Sequence, residues 1–259
     1  MRKLGWIPDL RDPRDVNVDV MGLASSSLPS EVTLRDHALA VLDQGSTQSC
    51  VAQAFAQAVL IHERTRGLVS VLPSRRFIYY NSRRLSSGTF VTFDNGTYLR
   101  TAAQALSRLG APDERVFPFR TGWLDINRRP SFDAYLLGYG RRGGVYRRIF
   151  EEGYARTLAI KAALAAGYPV AFGTPISKAF TGNFGPPVVD PPTECEIIGG
   201  HAMLFVGYQD TAGGTLFEVI NSWGAEWRNR GFFRMTEEWV SWSRLTDLWV
   251  VGGWHAVQP

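Results

Sequence analysis

From Ser49 onward, apolar residues recur at helical spacing. Val51, Ala52, Phe55, Ala58, Val59 and His62 fall near one face of a helix, and Gly67 stops the run. Ser49 is positioned to cap it, and Arg64 and Arg66 sit in its last turn, where the macrodipole favours cations. A second helix is predicted from Ser74, with Phe77, Ile78 and Tyr80 inward, and a third from Tyr98 to Leu109, closed by Gly110. Residues 156–166 give a further helix that ends at Gly167-Tyr168-Pro169. Beyond it the period changes to two. His201–Tyr208, Thr215–Ile220, Gly231–Met235 and Leu248–Val251 read as strands, with a hairpin turn at Gly213-Gly214. Helices first and antiparallel strands second predict an α+β chain of two packed subdomains, with a cleft between them as a natural binding site.

Outside these runs the pattern is weaker. Residues 1–33, with Pro8, Pro13, Pro29 and Ser25-Ser26-Ser27, read as an extended arm. Residues 34–125 then form the helical domain and 126–259 the mainly β domain. The Gly-, Arg- and Tyr-rich stretch 122–153 reads as a long connection or insertion. The 259 residues are 45% hydrophobic and 20% charged, which supports a folded core and argues against disorder. No window approaches the roughly 18 consecutive apolar residues of a spanning helix, so no membrane role is expected.

Charge and cysteine content narrow the function further. The net charge is +4, carried almost entirely by Arg, with pairs at 75–76, 83–84, 128–129, 141–142 and 147–148. These read as a solvated, ion-paired face, and no nucleic-acid partner is expected because no recognition motif accompanies them. Two cysteines, Cys50 and Cys195, exclude a disulfide scaffold. The N-terminus is basic but lacks the apolar stretch of a secretory signal, so cytoplasmic residence is the default, with export by a signal-independent route as the alternative.

Cys50 opens the first helix, where unpaired N–H groups and the dipole favour a thiolate nucleophile. Gln44, six residues earlier, can donate an amide N–H that joins the Cys50 backbone N–H in an oxyanion hole. His201 follows Gly199-Gly200, whose lack of side chains leaves its imidazole unobstructed, and it can exchange a proton with the thiol. Antiparallel pairing brings Asn221, of Asn221-Ser222-Trp223-Gly224, beside His201, where it can fix the tautomer while Trp223 keeps water away. His62 reads as a core or rim residue; His37 and His255 have no supporting context. Cys195 reads as a bystander thiol, because a metal site would need more ligands than it has nearby.

In the order Gln44, Cys50, Gly200-His201, Asn221-Ser222-Trp223-Gly224, with Gly5-Trp6…Pro8-Asp9 ahead of them, the sequence resembles the papain-like cysteine peptidases. More narrowly, it is similar to their bacterial and viral branch without a long propeptide. The resemblance runs from Gly5 to about Val251. It implies a helical left domain, an antiparallel β-barrel right domain and an active site in the cleft between them. It also implies Cys50 as nucleophile, His201 as acid/base, Asn221 as its orienter and Gln44 in the oxyanion hole. Asn95, Gly96, Thr97, Gly200, Trp223 and Trp227 are the implied substrate-side residues.

The departures from the family pattern are Val51 where Trp is usual, Thr47 where a disulfide-forming Cys is usual, and Thr97 where Gly is usual. His201 stands 151 residues after Cys50, and residues 138–153 are the candidate for the extra length. The arm is shorter than the family's inhibitory prodomain; it either crosses the cleft or packs on the second domain. The expectation is a monomeric endopeptidase acting on peptides or proteins, without metal or cofactor. The alternatives are an amidase, isopeptidase or transpeptidase using the same acyl-enzyme, for example on peptidoglycan stems, and a degenerate fold used only for binding.

Overall fold

Three helices lead the chain where the periodicity predicts them: α1 (Cys50–Thr65), α2 (Arg75–Ser87) and α3 (Leu99–Leu109). The structure is a computed structural model that describes residues 2–18, 27–88, 91–142 and 144–252, so His255 and part of the arm lie outside the described residues. Gly88 and Gly110 end α2 and α3 with φ of 66° and 65°, a conformation that a side chain would strain. Ser74, where the second helix was expected to start, is the cap of α2, its Oγ accepting from Phe77 N at 3.2 Å. Ser49 does not cap α1. Its Oγ bonds Thr47 Oγ1 and Gln53 Nε2 instead, at 2.7 and 3.0 Å, and no helix N–H reaches it. α1 is buried from Cys50 to Glu63, as befits a helix with little polar surface, and packs against the sheet behind it.

The described residues of the stretch 122–153 form regular elements rather than a bare connection. The stretch holds α4 (Trp123–Asn127), α5 (Phe132–Tyr139), capped by Ser131, and an edge strand, β2 (Val145–Ile149). The Val-Tyr-Arg-Arg-Ile of β2 has no clear alternation, which hid it in the sequence. α6 (Gly153–Ala165) follows. The arm also gives a short strand, β1 (Glu31–Thr33).

The remaining elements are β3 (Val170–Ser177), β4 (Val188–Val189), β5 (Ile197–Thr211), β6 (Gly214–Ile220), β7 (Phe232–Thr236), α7 (Glu237–Ser241) and β8 (Thr246–Gly252). The strands form one sheet in the order β2-β8-β3-β5-β6-β7-β4, antiparallel except at β4 and β7. β1 pairs with β5 at Gly207–Gln209, beyond the last residue that β3 engages, Phe205. Among the described residues the sheet is open, with β2 and β4 at its ends, and together with the helices it makes the expected α+β fold. β4 is a two-residue edge, and at the other end the arm runs parallel to β2, with Arg148 N donating to Val16 O at 2.9 Å and Val18 N to Arg148 O at 2.8 Å. β3 escaped the sequence analysis because seven of its eight residues are buried, so it shows no alternation of polar and apolar positions.

One irregularity matters for the site. The register of β3 against β8 slips between Ala171 and Gly173, and Asp247 stands in the slipped stretch with φ of 54°. Such a bulge re-aims a side chain away from the regular pleat.

Candidate active site

Cys50 is the first residue of α1 and is buried. Backbone N–H groups of Ala202, Gly5, Val51 and Cys50 itself surround its sulfur. Ala202 follows His201 on β5, so this strand passes beside the thiol. His201 Nε2 bonds Asn221 Oδ1 at 2.8 Å, and the same oxygen accepts from Ser222 N at 2.7 Å. An oxygen that takes two donors fixes the amide orientation, and with it the tautomer: Nε2 carries the hydrogen and Nδ1 keeps its lone pair. Nδ1 is buried and has no hydrogen-bond partner. Trp223 stacks on the imidazole with ring centroids 4.5 Å apart.

Gln44 is equally fixed. Its Oε1 accepts from Ser222 Oγ at 2.8 Å, and its Nε2 donates to Thr47 O at 2.7 Å and Lys3 O at 2.9 Å. One amide hydrogen therefore holds the loop and the other points at a backbone carbonyl beside Cys50, the geometry an oxyanion donor needs.

That carbonyl belongs to the arm, which fills the cleft. Arg2 lies over the Trp223 ring, 4.9 Å from its centroid, and donates to Trp223 O, Thr181 O and Asn183 Oδ1. Lys3 pairs with Asp94 at 3.2 Å. Thr97 N donates to Gly5 O at 2.9 Å, Ile7 N to Thr97 O at 3.2 Å and Trp6 N to Gly200 O at 3.3 Å. The close approach occurs at Gly96 rather than at Thr97: a Cβ on Gly96 would fall 2.4 Å from Gly5 O. The Thr97 side chain turns away to Thr101, with 3.2 Å between their Oγ1 atoms. Further along the arm, the Asp9 carboxylate accepts from Arg100 N in the first turn of α3 and from Trp249 Nε1.

The structure thus gathers Gln44, Cys50, His201, Asn221, Gly200, Thr97 and Trp223 around one cleft. Asn95 is exposed, one residue outside this pairing, and Trp227 is wholly buried, edge-on behind Trp223 at 5.2 Å between centroids. Cys195 is an exposed free thiol. His62 lies near the far end of α1, about 18 Å along the helix from Cys50, stacked on Tyr168. The sequence analysis missed Asp94, which accepts from Gln48 N at 2.9 Å and Tyr79 Oη at 2.7 Å and so ties the Thr97 loop to the Cys50 loop. It also missed Asp247, a lone carboxylate within an apolar strand, and that isolation was the available signal.

Burial sets the electrostatics of the closed cleft. It pushes the Cys50 thiol up to about 11 and the His201 imidazole down to about 4, the latter aided by the Arg2 charge and opposed by the Asn221 bond. Each group alone is therefore neutral at pH 7. Asp9 moves the other way from an ordinary carboxylate, up to about 7, through burial and the neighbouring charge of Asp247. For His201 the unfolded chain takes up a proton near pH 6.5 and the folded chain only near pH 4. Stability from this group therefore rises with pH across that window, by about 3 kcal/mol in all. Asp9 contributes in the opposite sense, losing stabilisation as pH rises through about 7, so the whole-chain curve mixes the two. The difference between wild type and His201→Gln isolates the first. We expect wild type to lose stability relative to the variant on acidification from pH 6.5 to 4 in chemical denaturation; parallel curves would mean that His201 is not buried in neutral form.

No described helix is long and apolar enough to cross a membrane. The sequence model described as "Papain family cysteine protease" matches residues 139–247. The peptidase C1-like protein L477 of Acanthamoeba polyphaga mimivirus is 29% identical over 275 residues, covering 96% of this chain and 86% of the viral one. Xylellain, a cysteine protease from Xylella fastidiosa, superposes with a TM-score of 0.84 at 30% identity over 96% of this chain and 95% of its own. Digestive procathepsin L 3 of Tenebrio molitor shares the fold, with a TM-score of 0.71 at 18% identity over 93% of this chain and 75% of that one. Agreement at that identity over nearly the whole of the Xylella enzyme means that this chain belongs to the papain family and is a papain-like cysteine peptidase.

Proposed function

We propose that the chain hydrolyses internal peptide bonds through Cys50, His201 and Asn221, by way of a thioester. The observation that carries this reading is a peptide already seated in the cleft, with Lys3 O on Gln44 Nε2 at 2.9 Å and its backbone paired to Thr97 and Gly200. A groove that pairs an extended backbone at both N–H and C=O favours a peptide as the acyl donor.

In the reaction, the Sγ–H proton passes to His201 Nδ1 and the thiolate attacks the carbonyl carbon. The carbonyl electrons move to an oxyanion between Gln44 Nε2 and the Cys50 N–H. Collapse breaks the C–N bond, and the proton on Nδ1 goes to the leaving amine. Water then attacks the thioester, giving a proton to Nδ1; the C–S bond breaks, the acid leaves, and Nδ1 returns the proton to the sulfur. Asn221 keeps Nδ1 turned to the sulfur throughout. In the closed cleft burial opposes both charges; once the arm leaves, water and mutual attraction stabilise thiolate and imidazolium together.

The arm itself is a poor substrate because it runs backwards. A productive peptide must put its leaving amine on the His201 side, and hence its downstream residues toward Trp223. The arm has its upstream end there, at Arg2, and travels away toward Thr97. The described conformation is therefore an inhibited one, and turnover requires residues 2–7 to leave.

The direct test is intact-mass analysis after treatment with a peptidyl epoxide. One adduct, absent from Cys50→Ala, is expected; labelling at Cys195 or nowhere in a chain with a loosened arm would defeat the proposal. Gln44→Ala removes one of two oxyanion donors and is expected to lower kcat about 10²-fold with little change in KM. A change confined to KM would show that Gln44 only binds.

A further inference from the structure

Two short helices of the stretch 122–153 turn apolar side chains toward water. On α4, Trp123 and Leu124 are 60% and 76% exposed; on α5, Phe132, Leu136 and Leu137 are 79%, 60% and 53% exposed. Single exposed apolar residues are ordinary, but a run of them this close together marks an interaction surface. Each helix has an inner face as well, made by Ile126 on α4 and by Ala134 and Gly138 on α5. Both helices rest on α2. Arg83 Nη2 donates to Ile126 O at 2.7 Å and Arg76 pairs with Asp125, which holds α4. Tyr135 Oη donates to Asn81 Oδ1 at 2.9 Å and its ring meets Phe77 edge-on, which holds α5. Arg76 and Arg83 share one stripe of α2, and Phe77 and Asn81 share the next. The two outward faces are therefore neighbours, and their apolar side chains form one patch.

Positive charge borders the patch. Burial lowers the pKa of Arg76 and Asp125 raises it, and Arg120 and Arg128 both lower it further, so these two stand beside α4. Arg129 follows, and Arg142 lies beyond α5 with its guanidinium over the Tyr139 ring. None of these four has a carboxylate partner among the described residues, although the charge pattern suggested ion pairing. Asp125 is taken by Arg76, which leaves Asp133 as the other acidic side chain between positions 120 and 142. We propose that the outer faces of α4 and α5 dock the peptidase on an anionic lipid surface, with Trp123, Leu124, Phe132 and Leu136 sunk at the headgroup boundary and the arginines on lipid phosphates. A second copy of the chain fits poorly, because an isologous contact sets the same arginines against each other. An acidic protein would answer the charge, but it would need a pocket for each protruding side chain, whereas a bilayer takes them without matching shape. Aromatic residues and leucine bordered by arginine are the composition of an interfacial contact. Such a contact lies on the bilayer and needs no spanning helix. The proposal is independent of the reading of the Cys50 cleft.

The test mixes the full-length chain with vesicles of phosphatidylcholine, alone or with phosphatidylglycerol added, and measures the bound fraction by sedimentation. Binding to the anionic vesicles is expected to exceed binding to the neutral ones by about tenfold or more and to fall as salt is raised. Trp123→Ala with Phe132→Ala, and separately Arg128→Gln with Arg129→Gln, are each expected to weaken it about tenfold or more. All four side chains are exposed, so melting temperatures should stay at the wild-type value. Brominated lipid is expected to quench the tryptophan fluorescence of wild type and to quench Trp123→Phe less, a readout that keeps an aromatic ring in place. No binding to either vesicle, binding that the Trp123 and Phe132 changes leave intact, or equal quenching of wild type and Trp123→Phe would overturn the proposal. Binding to soluble polyglutamate as tight as to anionic vesicles would overturn it in favour of an acidic protein. A vesicle-free dimer that the Trp123 and Phe132 changes abolish would overturn it in favour of a second copy.

Discussion

Replacing Cys50 with alanine is expected to abolish peptide hydrolysis, by about 10⁴-fold or more, and to leave the fold in place. On the proposed mechanism the loss is catalytic because every step passes through the sulfur: it takes the carbonyl carbon and later gives it to water. The cost to stability is small, about 1 kcal/mol, because a single buried sulfur is removed and the helix N-terminus it occupies is otherwise unchanged. A cysteine with only a packing role gives the opposite pattern, a lower melting temperature with turnover intact. Cys195→Ala is the control. That thiol is exposed, and its removal should move neither quantity. Hydrolysis that survives Cys50→Ala at more than a trace would refute the mechanism.

Trp6→Ala is expected to raise the rate at which a peptidyl epoxide labels Cys50 by about 10²- to 10³-fold. In the closed chain the indole is buried against Gly173 and Gly200 and bonded to Asp247. Truncating a buried tryptophan costs about 3–5 kcal/mol. With the arm released, the same side chain lies in water and its truncation costs almost nothing. The whole penalty therefore falls on the closed state and shifts the equilibrium toward the open one. Gly5→Ala tests the same shift by another route. A Cβ there would lie 1.8 Å from the backbone oxygen of Gln48, which cannot yield as a flexible side chain would. Both variants should label faster and melt lower than wild type. An unchanged labelling rate with a lowered melting temperature would mean that the arm stabilises the fold without guarding the thiol.

The arm shows why the candidate site was only partly legible in the sequence. Its prolines and its mixture of charges suggested an unpacked segment, and nothing local distinguishes Gly5-Trp6 from any exposed loop. Its seat is made by residues far along the chain: Thr97, Gly173, Gly200 and Asp247. Asp247 could be noticed as a carboxylate within an apolar strand, but its direction depends on a bulge between β3 and β8 that no local pattern encodes. β3 itself was missed because a strand covered on both faces carries no alternation.

What the sequence determined by itself is what short-range chemistry determines. The 3.6-residue period placed α1 to α3, because a helix that buries a face must repeat its apolar residues at that spacing. The same local logic put Cys50 at a helix start and His201 on a strand, although β5 begins four residues before the expected start at His201. The hairpin of β5 and β6 then set Asn221 beside His201, a contact that needs only one turn to form. The tertiary structure decided the rest. Whether the cleft is open, which side chain fills its pocket and which oxygen stands on Gln44 depend on contacts between residues more than 40 positions apart. Such contacts are fixed by packing in three dimensions, and no window along the chain contains both partners.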